Sequence, residues 1–196
     1  MYPLLFCSLL SLTVIIERIT FWIRERGCRD RAVLEKFMTL VEKDDLDGAR
    51  HITRGSRDPV IRVMVCGLVH REFSLRDALQ MGADEEIARM KRYLPVLDTM
   101  ITLSPLLGIL GTVVGIISSF TVLGRVGVEN PHLVTAGIGQ ALITTAFGLI
   151  IAILSLLPYN YSLSNMEKAI REIEKYGTTL EIIVEKGRNR TGGDMA

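Results

Sequence analysis

Charged residues are swept out of three long segments of this chain and crowded between them, and apolar residues follow a different spacing in each regime. The first apolar segment runs from Pro3 to Ile23, interrupted by Glu17 and Arg18 and closed by Trp22 and Arg24. The second lies within a 26-residue run without a charged side chain, Thr99 to Gly124. The third, Leu133 to Leu157, again holds no Asp, Glu, Lys or Arg. A helix of about 20 apolar residues crosses the hydrocarbon of a bilayer, so the pattern predicts three spans. In the first, Glu17 and Arg18 are expected at interface level, with Arg18 snorkelling and Trp22 in the aromatic belt. That segment does not read as a signal peptide, because it lacks a basic leading region and a small-residue cleavage site.

Between the first two spans the apolar residues recur at helical spacing. Leu34, Phe37, Met38 and Val41 fall on one helix face, Asp47 to Gly55 reads as a short helix ending in glycine, and Asp58-Pro59 starts another with proline at its first position. Ser74-Leu-Arg-Asp77 is a capping-box pattern, after which Leu79, Ile87, Met90 and Leu94 lead without a turn signal into the second span. That predicts one helix through the junction, kinked by Pro95 and Pro105. Asn130-Pro131 marks the start of the third span. Beyond Pro158, Met166, Ala169, Ile170, Ile173 and Tyr176 form an amphipathic continuation that Gly177 is expected to interrupt before Leu180, Ile183 and Val184 resume it.

The spans are not plain lipid anchors. At about 100° per residue, Pro105, Gly108, Thr112, Gly115 and Ser119 lie within about 80° of one another, with Gly111 at their border. In the third span Gly137, Gln140, Ala141, Thr144, Thr145 and Gly148 share an arc of about 140°. Lipid gives no cause for two such stripes, whereas close helix packing does. Gly108, Gly111, Gly115, Gly137 and Gly148 are therefore assigned to packing. Thr112, Thr144, Thr145 and Gln140 are the candidates to line a path for ions.

Composition narrows the function. The net charge is +1, which gives no bulk case for nucleic-acid binding. Cys7, Cys28 and Cys66, like His51, His70 and His132, are too scattered for a metal site or a disulfide framework. The spans contain no nucleophile–base set, so no catalytic residue, metal or cofactor is assigned and an enzyme is not expected. Gly108-Ile-Leu-Gly-Thr-Val-Val-Gly115 lacks the preceding strand that a nucleotide loop needs. At mid-depth the two striped spans carry no protonatable group, so a titrating side chain would have to come from another chain.

Basic residues set the orientation. Residues 24–94 hold 15 of the chain's 23 Lys and Arg, and Arg24, Arg26, Arg29, Arg89, Lys91 and Arg92 flank the first two spans, against Arg125 in the connector. The positive-inside rule then places the N-terminus and connector outside and the long loop and C-terminus in the cytoplasm. The resulting map is a first span at 1–23, a cytoplasmic helical region at 24–94, a second span at 95–123 and an external connector at 124–132. A third span at 133–158, a helical extension at 159–186 and a disordered tail at 187–196 complete it. The fold class is an all-α membrane protein with three transmembrane helices and long cytoplasmic helical extensions.

The stretch Leu103-Ser-Pro-Leu-Leu-Gly-Ile-Leu-Gly-Thr-Val-Val-Gly-Ile-Ile-Ser-Ser-Phe120, followed by Gly137-Ile-Gly-Gln-Ala-Leu-Ile-Thr-Thr-Ala-Phe-Gly-Leu149 and Pro158-Tyr-Asn160, resembles the signature spans of the MotA/TolQ/ExbB proton-channel family, most closely the ExbB and TolQ branch. The resemblance implies an inner-membrane homopentamer, its pore enclosing the single transmembrane helices of an ExbD- or TolR-like partner whose aspartate carries the proton, and a TonB- or TolA-like transducer beyond it. It places functional threonines at Thr112 and Thr145. Gln140 stands where many members carry a glutamate, so the pore-facing acid of those members is missing here. A structural membrane assembly protein that conducts nothing is the alternative that stripe composition alone leaves open.

Overall fold

The computed structural model of the chain describes residues 2–27, 29–70, 74–126 and 131–193. Among them every regular element is a helix: α1 (Tyr2–Gly27), α2 (Arg31–Glu42), α3 (Leu46–Thr53), α4 (Pro59–Val69), α5 (Leu75–Lys91), α6 (Leu94–Val126) and α7 (Pro131–Gly193). Among the described residues three helices are long and apolar enough to cross a membrane, and the protein is an all-α membrane protein. The chain divides into two compact units, Met1–Thr20 with Tyr93–Ser162, and Phe21–Arg92 with Leu163–Ala196.

In the first unit α1 buries a single stripe, Leu4, Cys7, Ser11, Val14 and Arg18, while Leu5, Phe6, Leu9, Leu12 and Ile16 stay exposed. The alternating three- and four-residue steps of that stripe are the seam of one helix laid against others. Arg18 does not snorkel. It is 1% exposed, its guanidinium pairs with the Glu17 carboxylate at 2.7 Å and lies 5.7 Å over the Tyr93 ring. The charge is retained in a low-dielectric place by an ion pair and an aromatic face together.

α6 and α7 meet backbone to backbone. A Cβ added at Gly148 would stand 2.5 Å from the Ser104 carbonyl oxygen and 3.2 Å from Gly108 Cα, and one at Gly108 would meet Thr145 Cα at 3.0 Å. One at Gly111 would strike the Thr144 methyl at 2.8 Å, and one at Gly115 the Ala141 methyl at 2.6 Å. Gly137 is likewise closed off by the Ser119 hydroxyl. The outward faces carry Leu106, Ile109, Val113, Ile117, Phe147 and Ile153, all exposed, as lipid or further protein chains require.

The second unit is a water-type helical bundle. Its core joins Leu34, Phe37 and Val41 of α2, Ala49 of α3, Val60, Ile61, Val63, Met64 and Leu68 of α4, Leu79 of α5, and Ile173 and Leu180 of α7. Side-chain caps start four of its helices. Asp30 accepts from Val33 N (3.2 Å), Asp45 from Gly48 N (2.9 Å), Asp58 from Val60 N (2.9 Å) and Ser74 from Asp77 N (3.2 Å). Pro59 opens α4 as its first residue, and the turn after α3 passes through Gly55 at φ +84°. Arg89 reaches Glu25 at 2.7 Å and Glu86 at 3.2 Å, and Arg62 also pairs with Glu86.

The helix bounds differ from the sequence expectation in three places. α5 and α6 are separate, because Tyr93 adopts φ +66°, which no helix admits. Pro95, lacking an N–H and crowding the carbonyl four residues back, removes the helical bond that would bridge this point. No glycine announces the break. A bulky residue there costs roughly 1–3 kcal/mol that its surroundings must offset, and Tyr93 lies under Arg18. Gly177 does not interrupt α7. It is buried with 3.8 Å to Met64 Cε and 3.9 Å to Leu79 Cδ1, so its missing side chain makes room for α4 and α5. α7 also runs to Gly193, through most of the stretch that composition marks as a disordered tail. Its 63 residues give a helix of about 95 Å. Within the expected connector at 124–132, residues 127–130, Asn130 among them, lie outside the described residues.

Two substitutions test this packing by thermal or denaturant unfolding of the detergent-solubilised protein. Phe37→Ala, at a fully buried site, is expected to destabilise the second unit by about 3–5 kcal/mol. Gly148→Ala must push two backbones apart and is expected to destabilise the α6–α7 pair by about 1–3 kcal/mol. Gly139→Ala, with nothing within 4 Å of the added carbon, should be neutral. Equal effects at Gly148 and Gly139 would contradict the backbone contact.

Candidate functional site

The close approach of α6 and α7 delivers a cluster of four oxygen atoms. Thr112 lies about three and a half turns into the charge-free run and Thr145 is its counterpart on α7; both are half-buried. Their hydroxyls bond each other. Thr145 also donates to the Gly108 carbonyl at 3.0 Å, and the Thr112 hydroxyl lies 3.1 Å from that oxygen and 3.3 Å from the carbonyl of Ala141. Two hydroxyl protons are shared among four oxygens. The Thr112 hydroxyl therefore has three acceptors for its one proton and can change partner by rotation about a single bond.

Glycine is what makes this possible. A Cβ at Gly108 would stand 3.0 Å from Thr145 Cα, so a side chain there would push the two backbones apart and the Thr145 hydroxyl would lose its reach across the contact. Interhelical hydroxyl bonds of this kind contribute about 0.6–2 kcal/mol each in a bilayer. They add to the packing without dominating it.

The four polar candidates do not gather in one place. Thr112 and Thr145 form the cluster just described. Gln140 and Thr144 lie on another side of α7, along a cavity of about 490 Å³ that is also lined by Pro3 and Leu4 of α1 and by Leu110, Gly111 and Ser118 of α6. Thr144 is buried there against Gly111, its hydroxyl donating to the Gln140 carbonyl at 2.9 Å, whereas the Gln140 side chain is exposed. Rotation accounts for the separation, since Gln140 and Thr145 are about 140° apart on a helix and Gln140 and Thr144 about 40°.

No group of three or more His, Cys, Asp or Glu able to hold a metal occurs among the described residues. Cys66 is partly buried, and desolvation, with the Glu85 carboxylate beside it, raises its thiol above the usual range, so it is a poor nucleophile at neutral pH. Sequence reasoning passed over Asp98. It is the last charged residue before the charge-free run, and it is exposed on α6. Its signal was its place next to that run.

Residues 56–175 match the model of the MotA/TolQ/ExbB proton channel family. The chain is 39% identical to the putative biopolymer transport protein ExbB-like 1 of Synechocystis over 190 residues, 93% of this chain and 74% of the relative. It is 32% identical to the biopolymer transport protein exbB1 of Vibrio cholerae over 158 residues, 78% and 69% of the two chains. A shorter match, 36% over 83 residues (42% of this chain and 36% of the relative), joins it to the Tol-Pal system protein TolQ of Haemophilus influenzae. The matched region contains both glycine-packed spans and the threonine cluster between them, and the chain belongs to the MotA/TolQ/ExbB proton channel family.

Proposed function

We propose that this chain is the multi-span subunit of an ion-driven, energy-transducing complex of the ExbB/TolQ type in the bacterial inner membrane. It assembles as a homopentamer around the single transmembrane helices of an ExbD- or TolR-like partner, and a TonB- or TolA-like protein carries the resulting motion towards the outer membrane. Its N-terminus lies outside and its C-terminus in the cytoplasm, as the positive-inside rule requires.

The observation that carries this reading is the threonine cluster. It is a polar site with rotatable donors inside two spans that hold no titratable carboxylate at that depth. A group that accepts and releases a proton must therefore enter from a partner. Once charged at that depth it needs polar neighbours, because an ionised carboxylate in hydrocarbon is strongly disfavoured. Thr112 and Thr145 supply hydroxyls that turn a proton towards a carboxylate and a lone pair towards a carboxylic acid. Gln140, along the cavity beside Thr144, offers a neutral amide where many members of the family carry a glutamate. On this reading the chain positions and stabilises the charge and the partner carries it.

Thr112→Val and Thr145→Val test the role. Valine keeps the shape and removes the hydroxyl, and the loss of one interhelical bond is too small to dissolve a large helical assembly. Each variant is expected to form the complex at wild-type mass and to lower cation flux and energised transport by tenfold or more. Gln140→Glu is expected to be tolerated. If both valine variants assemble and transduce at the wild-type rate, the cluster serves packing alone and the protein is a structural component.

A further inference from the structure

Among the described residues the spans of the first unit contain one carboxylate with no ion-pair or hydrogen-bond partner. Among that unit's described residues the acids are Glu17, which is paired with Arg18, and Asp98. Asp98 is exposed, and its carboxylate makes no ion pair and accepts no hydrogen bond among the described residues. A role in helix capping does not explain it. α6 begins at Leu94 and has no acid in its first turn, so Asp98 lies beyond the free N–H groups. An ionised group beside an apolar span is unfavourable unless water or function holds it there.

Its place on the helix is specific. Fourteen residues separate Asp98 from Thr112, about 21 Å along the axis and about 40° in rotation, so both lie on one side of α6. That side is polar where α6 enters the charge-free run, and further along it carries Ile109 and Ile116. Thr102, one turn from Asp98, is exposed, with its hydroxyl 3.0 Å from the Thr99 carbonyl and 3.3 Å from that of Asp98. The carbonyl of Ile101 has no helical donor, because the residue four places on is Pro105, which lacks an N–H. A carboxylate, a hydroxyl and a released carbonyl thus precede the threonine cluster on the same face.

We propose that Asp98 is the carboxylate that collects cations at the α5-side mouth of the membrane path, a proposal that rests on the ion-driven function above. A fixed negative charge at a mouth with apolar walls raises the local concentration of cations and their entry rate, by a factor of about ten or more. The carboxylate is regenerated as each cation passes on, so it needs no co-reactant. Its effect belongs to one side of the membrane only, because the charge-free run separates it from the other.

The test is cation flux into proteoliposomes holding the complex copurified with its native partner, for protons and for sodium, with the gradient imposed in either direction. At low ionic strength Asp98→Asn is expected to raise the half-saturating cation concentration about tenfold for flux entering from the α5–α6 side, leaving maximal flux and entry from the opposite side unchanged. Asp98→Glu should restore the wild-type value. Added salt should bring the wild type towards the asparagine variant, since 0.1 M salt screens charges over about 10 Å. An unchanged Asp98→Asn overturns the proposal, as does a loss of flux equal in both directions, or a failure of both variants to assemble by intact mass. Thr112→Val, measured alongside, separates the two readings. If it alone lowers flux, the ion-driven function stands and the role of Asp98 falls. A wild-type complex that passes neither cation overturns both.

Discussion

The contact of two glycine-lined backbones, Gly108 of α6 against Thr145 and Gly148 of α7 against Ser104, is the constraint on which the membrane part of this protein depends. Lipid tails are as apolar as leucine, so burying leucine between helices gains little inside a bilayer. What remains is dispersion at short range and hydrogen bonds across the contact, and both grow as the backbones approach. Glycine at Gly108, Gly111, Gly115, Gly137 and Gly148 permits that approach. The hydroxyls of Thr112 and Thr145 and the carbonyls of Gly108 and Ala141 then fall within bonding distance as a consequence. The same residues that pack the pair create its polar site.

The two units solve different problems. In the second, Phe37, Met64 and Leu180 leave water and the hydrophobic effect holds the helices, with Asp and Ser caps at their starts. In the first, apolar side chains point outward and small or polar ones inward. Arg18 shows the difference most sharply. A guanidinium buried on the inner stripe of α1 is held by Glu17 and Tyr93, and that stacking accompanies a left-handed backbone at Tyr93 that the residue type alone does not favour.

Much of this was legible in the sequence because it follows from periodicity. The three spans, the buried face of α2, the Asp58-Pro59 start of α4, the Ser74 cap and the small-residue stripes all rest on residue types with strong local preferences. The misses have one cause, which is tertiary contact acting where local signals are weak. Tyr93 carries no turn signature, so the α5–α6 break depends on Pro95 two residues on and on a partner in α1. Gly177 looks like a breaker because its reason, contact with Met64 and Leu79, lies 100 residues away in the chain. Four polar residues on two stripes seemed one lining. Only the rotational setting of α7 against α6 separates Gln140 and Thr144 from Thr112 and Thr145.

That separation bears on how such a subunit works. The threonine cluster is satisfied within one chain, since each hydroxyl has an acceptor, and it carries no charge of its own. A pair of spans that carried its own carboxylate at that depth would have to neutralise or hydrate it before any partner arrived. Glutamine at position 140 avoids that cost. On the proposed function the threonine cluster is a set of dipoles that can turn but not titrate, and conduction waits for a chain that brings a charge to that depth. On the proposed function coupling follows from this arrangement: a cation crosses only with the partner, and so only with the partner's helix present to move.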